Sequence, residues 1–289
     1  VSIFRPGQTG ALPMKMTRSL SQAFQTWLET GAAWLLALLW ISPLVYALWA
    51  AFHPGEYAVN FDLLAPLTLD NFREALSQAP FPRYALNTFV LVTMILVAQL
   101  ILCTLAAYAF ARFEFRGHKI AFALVLVQLM ITPEILIVEN YVTLAKFGLV
   151  DTILGIGLPY MASAFGIFLL RQAFKSTPKE LEEAARLEGC GTMGVLWKVY
   201  VPLARPTYLA YGLVSISHHW NNFLWPLIVT NSVKTRPLTV GLGIFGAPES
   251  GVNWSIISAA TLLSVAPLLV AFLLFQRQFV QSFMYAGIK

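Results

Sequence analysis

Two stretches of this chain, Gly31 to Phe52 and Ala85 to Ala111, contain no charged residue. Runs of that length are long enough to cross the hydrocarbon core of a bilayer as helices. Inside lipid every backbone N–H and C=O must be satisfied within the protein, so an apolar run that crosses does so as a helix, and Pro43 marks a kink in the first. The rest of the composition agrees: 58% of residues are hydrophobic, only 11% are charged, and the mean hydropathy is +0.69. Soluble domains carry about 25% charged residues, so a soluble enzyme or binding module is excluded. The pI of about 9.3 does not point to nucleic acid, because the basic residues are spread along loops and form no patch. The lipid bilayer is the expected partner of this surface.

In chain order, residues 1–28 form a polar, basic segment with Arg5, Lys15 and Arg18. The first apolar run is longer than the 7–15 residues of a signal peptide's core, so it is expected to remain as a span. Residues 29–84 comprise that span and a loop rich in proline and acids. The remainder, 85–289, reads as one core with four further runs: from Ile120, from Thr152 to Leu170, from Pro206 to Val233, and from Gly251 to Gln276. The expected class is therefore all-α, a polytopic membrane protein with six transmembrane helices. On a continuous third helix, Glu134 would lie roughly 20 Å in, near the far interface. In the fourth, Gly155, Gly157, Ala162 and Gly166 suit close helix contacts.

Orientation follows from counting cations by side. Fourteen of the nineteen Lys and Arg fall on the side that holds both termini, the 112–119 loop and the 171–205 loop, and five fall on the other. Cytoplasmic loops carry the excess of Lys and Arg, so both termini and the 171–205 loop are expected in the cytoplasm.

That last loop holds the most informative polar interruption, TPKELEEAARLEGCGTMGVLWKVYVPL at 177–203. Thr177 is positioned to cap a helix, Pro178 suits its first position, and Glu180 would complete a capping box. Leu181, Ala184, Ala185 and Glu188 recur at helical spacing as a small-residue face, and Gly189 ends the helix. So short a helix is marginal alone and leans on something else.

Other motifs carry less. No GxxxxGK[ST] loop is present in the sequence, so a nucleotide that drives this protein must be held by another polypeptide. Gly241-Leu-Gly243-Ile-Phe-Gly246 matches GxGxxG without the strand–helix unit that gives the motif meaning, and Asn253-Trp-Ser255 is a sequon too common to carry weight. Cys103 and Cys190 read as unpaired thiols. His218 and His219 are adjacent, about 100° apart on a helix, and cannot ligate one ion from one face. Glu134 and Glu139 are either functional groups at membrane depth or carboxylates wetted at the headgroup boundary. Trp220, Asn221 and Asn222 combine aromatic faces with amides, which suits a sugar ring and its hydroxyls; an interfacial belt with helix–helix hydrogen bonds is the plain alternative.

Glu183-Ala184-Ala185, three residues, Gly189, nine residues, then Val199-Tyr200-Val201-Pro202 resembles the EAA loop of ABC importer permeases. NTFVLV from Asn87, AYAFARF from Ala107, PLARP from Pro202 and WNNFLWPL from Trp220 are similar to the carbohydrate-uptake branch. NSVKTRPLTVGL and the C-terminal tail are similar to the glycerol-3-phosphate importer permeases. The resemblance implies a type I ABC importer permease fold in the bacterial inner membrane. It implies a second homologous permease, two cytoplasmic ATPase subunits that bind ATP and Mg, and an extracytoplasmic solute-binding protein facing the 231–253 loop. It implies that the chain is not itself an enzyme and has no cofactor of its own. Glu183, Ala184, Ala185, Gly189 and Pro202 would couple ATP hydrolysis to transport, with substrate contacts concentrated in the partner permease. Where many relatives have Ile-Pro, this chain has Glu139-Asn140, which alters the outer mouth. The expected function is uptake of a sugar or sugar-like solute: a sugar, glycoside, polyol or glycerol phosphate. The alternative is a self-sufficient proton-coupled carrier using Glu134, Glu139 or His219. A purely structural membrane anchor fits the EAA spacing poorly.

Overall fold

A computed structural model of the chain describes residues 20–60, 62, 64–246 and 252–287. The basic segment up to residue 19, residues 247–251 of the 231–253 loop and the last two residues lie outside the described residues. Every regular element among those described is a helix, as the composition demands. The chain divides into two units, residues 1–49 and residues 50–289.

The first unit holds most of α1 (Leu20–Ala51), with Pro43 inside the helix. Trp27, Leu35, Leu39 and Trp40 point in different directions around it, and each is more than half exposed. A helix that is apolar all round finds its partners in lipid or in another chain.

The second unit begins with two short helices, α2 (Gly55–Asn60) and α3 (Asp70–Gln78), and is built around α4 (Phe81–Arg112). Pro82 in its first turn leaves no lost hydrogen bond, since the first four N–H groups have no intrahelical partner anyway. Leu91, Ile95, Gln99, Cys103 and Ala107 recur every fourth residue along α4 and are all buried. That stripe is apolar except at its midpoint, where Gln99 sits. The remaining helices are α5 (His118–Val127), α6 (Ile137–Lys146), α7 (Ile153–Gly157), α8 (Ala164–Ser176), α9 (Lys179–Leu187), α10 (Thr192–Val195), α11 (Val201–Leu203), α12 (Arg205–Trp220), α13 (Leu224–Val229), α14 (Leu238–Leu242) and α15 (Trp254–Gly287). α4 packs against α7, α8, α12 and α14, while α15 packs against α12 and α3. Close approach has a concrete form at Gly166 on α8, where a Cβ would lie 2.6 Å from the Tyr211 ring of α12.

Three expected spans are interrupted. The third does not run through Glu134: helices over His118–Met130 and Pro133–Lys146 meet at 92°. The break falls before Pro133, where Thr132 is extended (φ −74°, ψ 138°), because proline disfavours helical geometry in the preceding residue. The fourth bends by 50° between Tyr160 and Ala164, and Ser163 restarts it by accepting the Gly166 N–H at 3.2 Å. The fifth is divided at Asn221–Phe223, between α12 and α13. Among the described residues, three helices are long and apolar enough to cross a membrane, or up to five if each bent pair is one span.

Buried side chains form three clusters. One joins α4 and α8 to the 195–204 segment through Tyr108, Phe174 and Tyr200; another joins α3, α4, α14 and α15 through Tyr84, Leu238 and Ile256. The third, with Leu91, Ile156 and Trp225, lies beneath the breaks in the chain.

Candidate functional site

The chain concentrates polar groups in two places, and their local chemistry differs. The first is the 177–203 loop. α9 starts at Lys179, but Thr177 does not cap it: the Thr177 hydroxyl donates back to the Ala173 carbonyl at 3.2 Å, and no side-chain cap bond is made at the α9 start. Thr177 directly follows α8, whose last carbonyls lack helical partners and draw that hydroxyl. Arg112 satisfies two more, donating to Phe174 O at 2.9 Å and Thr177 O at 2.6 Å.

Glu182 is the hub of this loop. Its carboxylate accepts from Arg186 at 2.8 Å and from the Tyr200 hydroxyl at 2.6 Å, and lies 3.7 Å from Arg112 Nε. The Arg112 guanidinium also stacks 4.7 Å from the Tyr200 ring centroid. Desolvation alone would raise the Glu182 pKa, but the Tyr200 and Arg186 bonds and the two guanidinium charges outweigh it and hold the carboxyl below its ordinary value. Burial, together with the bond to Glu182, pushes the Tyr200 phenol well up, so it stays protonated and donating. Three segments, the α4 end, α9 and the 196–200 turn, are thus tied to one carboxylate. That turn is π-helical over Leu196–Tyr200. It ends two residues before Pro202, which has no N–H to give the Lys198 carbonyl; a widened turn accommodates the missing bond.

The motif residues sit around this hub. Ala185 packs inward against the Tyr108–Tyr200 cluster, whereas Glu183, Ala184 and Gly189 are exposed and Pro202 is half-buried. Glu183 makes no hydrogen bond or ion pair among the described residues; it lines a cavity of about 670 Å³ with Lys175 and Lys179. Gly189 has φ +87°. Its N–H bonds Arg186 O and the Cys190 N–H bonds Ala185 O, at 3.0 and 2.9 Å, which is the Schellman ending of a helix. Nothing lies within 4 Å of a Cβ built there, so within the chain glycine is required by backbone conformation.

The second place is a cavity of about 230 Å³ beneath the broken third, fourth and fifth segments. Of the residues singled out from the sequence, Glu134, Asn140, His218, His219 and Asn222 line it, while Glu139, Trp220 and Asn221 do not. Trp220 donates to Ser264 O at 3.2 Å, and Asn221 returns to Ser217 O at 2.8 Å. Trp225, held by its indole N–H on Ile156 O at 3.0 Å, and Tyr160 supply flat walls. Glu134 and Asn140 make no side-chain hydrogen bond among the described residues, and Gln128 uses only its Oε1, on the Ala164 N–H at 3.1 Å.

Gln99 orders the cavity floor. Its Oε1 accepts from Tyr211 at 2.9 Å and Ser215 at 2.6 Å; its Nε2 donates to Tyr160 O at 2.7 Å and meets His219 Nε2 at 3.2 Å. A carbonyl oxygen can only accept, so the Gln99 atom facing Tyr160 O is the nitrogen. His219 Nε2 must then accept from that same NH₂, and the ring proton resides on Nδ1. Nδ1 is buried and has no partner. His219 is thus a neutral ring with an unused donor.

On the same side, the 231–238 segment is anchored to α4 and to the start of α7. Asp151, at φ 59°, accepts the Asn231 and Ser232 N–H groups at 3.0 and 3.1 Å and the Thr235 hydroxyl. Arg83 and Asn87 both donate to Lys234 O at 3.0 Å. Desolvation acts to raise the Asp151 pKa, yet the bonds from Thr235, Ser232 and the two backbone N–H groups hold it at about 2.

Glu182, Arg112, Gln99 and Asp151 were not singled out from the sequence. The every-fourth-residue burial of α4 carried a signal for Gln99, a lone amide on an apolar stripe. The other three depend on contacts between distant segments.

A family model described as "Binding-protein-dependent transport system inner membrane component" matches residues 34–285. The arabinooligosaccharides transport system permease protein AraQ of Halalkalibacterium halodurans is 32% identical over 270 residues, covering 91% of this chain and 96% of that protein. The sn-glycerol-3-phosphate transport system permease protein UgpE of Yersinia pestis bv. Antiqua is 34% identical over 207 residues, 71% of this chain and 74% of that protein. Among solved structures, a chain of a bacterial ABC transporter involved in import of the acidic polysaccharide alginate superposes with a TM-score of 0.82 at 22% identity, covering 90% of this chain and 98% of that one. That likeness is one of fold.

Proposed function

The chain belongs to the family of binding-protein-dependent transport system inner membrane components, and from that premise we propose that it is the permease subunit of an ATP-driven importer for a sugar or sugar-like solute. The observation that carries the reading is the tie between the EAA loop and the helical core. Glu182 joins α9 to the end of α4 through Arg112 and to the 196–200 turn through Tyr200. Displacement of α9 by a partner is thereby delivered to α4, which packs against most of the core.

In this reading the chain crosses the inner membrane six times with both termini in the cytoplasm. It pairs with a second, homologous permease above two ATPase subunits, which hold ATP and Mg. A solute-binding protein delivers cargo from outside. Closure of the ATPases moves α9 as a lever, with Glu183, Ala184 and the Gly189 turn at the contact and Ala185 and Pro202 fixing the loop to the core. The cavity floored by Gln99 then opens outward to receive solute. Amides at Asn140 and Asn222 with the flat faces of Tyr160 and Trp225 suit a ring bearing hydroxyls.

A proton-coupled carrier fits less well: His219 accepts from Gln99 at Nε2 and is neutral, Glu139 lies outside the cavity, and of its three proton sites only Glu134 remains. The test is expression with the partner subunits in proteoliposomes: solute uptake should require ATP and the binding protein. Uptake by this chain alone under a pH gradient would overturn the proposal.

A further inference from the structure

We propose that the outer cavity selects its solute by charge, accepting a neutral or amine-bearing polyhydroxylated molecule and turning away one that carries a carboxylate or phosphate, with Glu134 as the discriminating group. This rests on the importer reading above and narrows its solute class.

Glu134 is the one carboxylate among the residues lining the cavity, and no Lys or Arg lines it. Its position is set by the chain: Pro133 breaks the third segment, and Glu134 follows in the first turn of the 133–136 helix beyond the 92° bend. Among the described residues no cation neutralises it: Glu134 forms no ion pair there. Arg83, the cation most firmly placed on the outer side, is held away by the Lys234 carbonyl. The other polar groups at the cavity are uncharged. The amides of Gln128, Asn140 and Asn222 both donate and accept, and His219 is a neutral ring whose Nδ1 is buried.

Hydroxyls satisfy such groups in either sense, whereas an anion finds donors here but no countercharge. Held about 6 Å from a carboxylate at an effective dielectric of about 20, an anionic group is disfavoured by roughly a hundredfold. An ammonium at the same distance gains by a similar factor. Most of that discrimination disappears if the carboxylate is replaced by its uncharged amide, which keeps the shape.

The experiment uses the complete importer, with partner permease, ATPases and binding protein, in nanodiscs and proteoliposomes. The probes are maltotriose, arabinotriose, chitosan trimer, trigalacturonate and glycerol phosphate. ATP-dependent uptake is measured first. Binding of each probe to the assembled transporter is then titrated without the binding protein, so that the binding protein does no sorting and the Glu134 variants report what this cavity contributes. Uptake and binding should be confined to neutral or amino sugars. Glu134→Gln should raise the anion-to-neutral affinity ratio at least tenfold, and Glu134→Lys further, with neutral affinity changed less than threefold. Anions bound by the parent transporter as well as their neutral counterparts, or a ratio unmoved by either substitution, overturns charge selection and leaves the importer reading standing. ATP-independent uptake, or no uptake of any probe, strikes the importer reading itself. Should Glu134→Lys fail to assemble, Glu134→Gln carries the comparison.

Discussion

The 177–203 loop and the cavity floored by Gln99 both gather polar groups in an otherwise apolar chain, but they treat them in opposite ways. Around Glu182 the hydrogen-bonding groups largely find partners, and three backbone segments converge on one carboxylate. Around the cavity, Gln99 is fully used while Glu134, Asn140 and His219 Nδ1 are left open. A closed network fixes the positions of the elements it joins. An open one leaves polar atoms available: the exposed Glu134 and half-buried Asn140 remain free for a ligand, and the buried His219 Nδ1 costs stability because an unmade buried bond is expensive. In the proposed importer, that difference would divide the part that transmits movement from the part that meets cargo.

The largest expected effect breaks the closed network. Glu182→Ala leaves Arg112, whose side chain is only 8% exposed, without its carboxylate and Tyr200 without its acceptor. Removing one partner of a buried pair costs about 3–5 kcal/mol; some water reaches both side chains, so the lower end is expected. Amide exchange over α9 and the 196–200 turn should accelerate, and ATP hydrolysis should no longer drive uptake. Exchange at the 231–238 segment should stay as it was. If α9 exchanges normally in the variant, Glu182 is not what holds it.

The next effect isolates backbone from bulk at Gly189. Its φ of +87° is open to glycine and tolerated by asparagine, while a β-branched residue is strained there by about 1–2 kcal/mol. Gly189→Asn should retain most uptake and Gly189→Val should lose most of it, although each adds side-chain volume. Equal loss in both would mean that a partner surface, and not the turn, sets the requirement.

Much of this was legible in the sequence, for physical reasons that can be named. Uncharged runs announce helices because lipid offers the backbone no alternative, and the Glu183–Pro202 spacing pointed to the family that the chain belongs to. Gly189 was readable as a helix end because the left-handed region leaves few choices. The interruptions were not: Pro133 stood in view, yet the apolar pattern continued across it, and a bend of 92° leaves no trace in hydropathy. Thr177 misled because two helix ends compete for one hydroxyl, and the carbonyls of α8 took it. Glu182, one residue before the motif, was readable only as an acid favouring the start of α9, since its partners Arg112 and Tyr200 are brought to it only by folding.

A pH titration sharpens the comparison at lower cost. Asp151 and Glu182 both have carboxyl pKa values depressed in the folded chain, Asp151 to about 2. A depressed carboxyl contributes stability above its unfolded pKa, near 4, and loses it as pH falls through the folded value. The anchoring of the 231–238 segment should therefore be constant from neutral pH to about 4 and weaken between about 4 and 2, as read by amide exchange at Asn231 and Ser232. Asp151→Asn should remove that acid dependence. A segment that loosens instead between pH 7 and 5 would assign the anchor to some other group.

The smallest effect uses two neighbouring residues of one type. Asn221 and Asn222 both sit at the break between α12 and α13, yet Asn222 lines the cavity beside Tyr160, whereas Asn221 turns back to its own helix at Ser217 O. The Asn222 backbone carbonyl still accepts from Thr239 at 2.8 Å whatever its side chain, so truncation there leaves the loop attached. Asn222→Ala should lower apparent solute affinity severalfold, as one lost hydrogen bond of about 1 kcal/mol would, with thermal stability unchanged. Asn221→Ala should alter uptake by less than twofold, because an exposed bond to a helix carbonyl is readily replaced by water. The two amides share one chemistry and differ in direction and exposure, Asn221 being exposed and Asn222 half-buried. A reversed order would therefore place the solute on the other side of the break, away from Gln99 and the open groups that surround it.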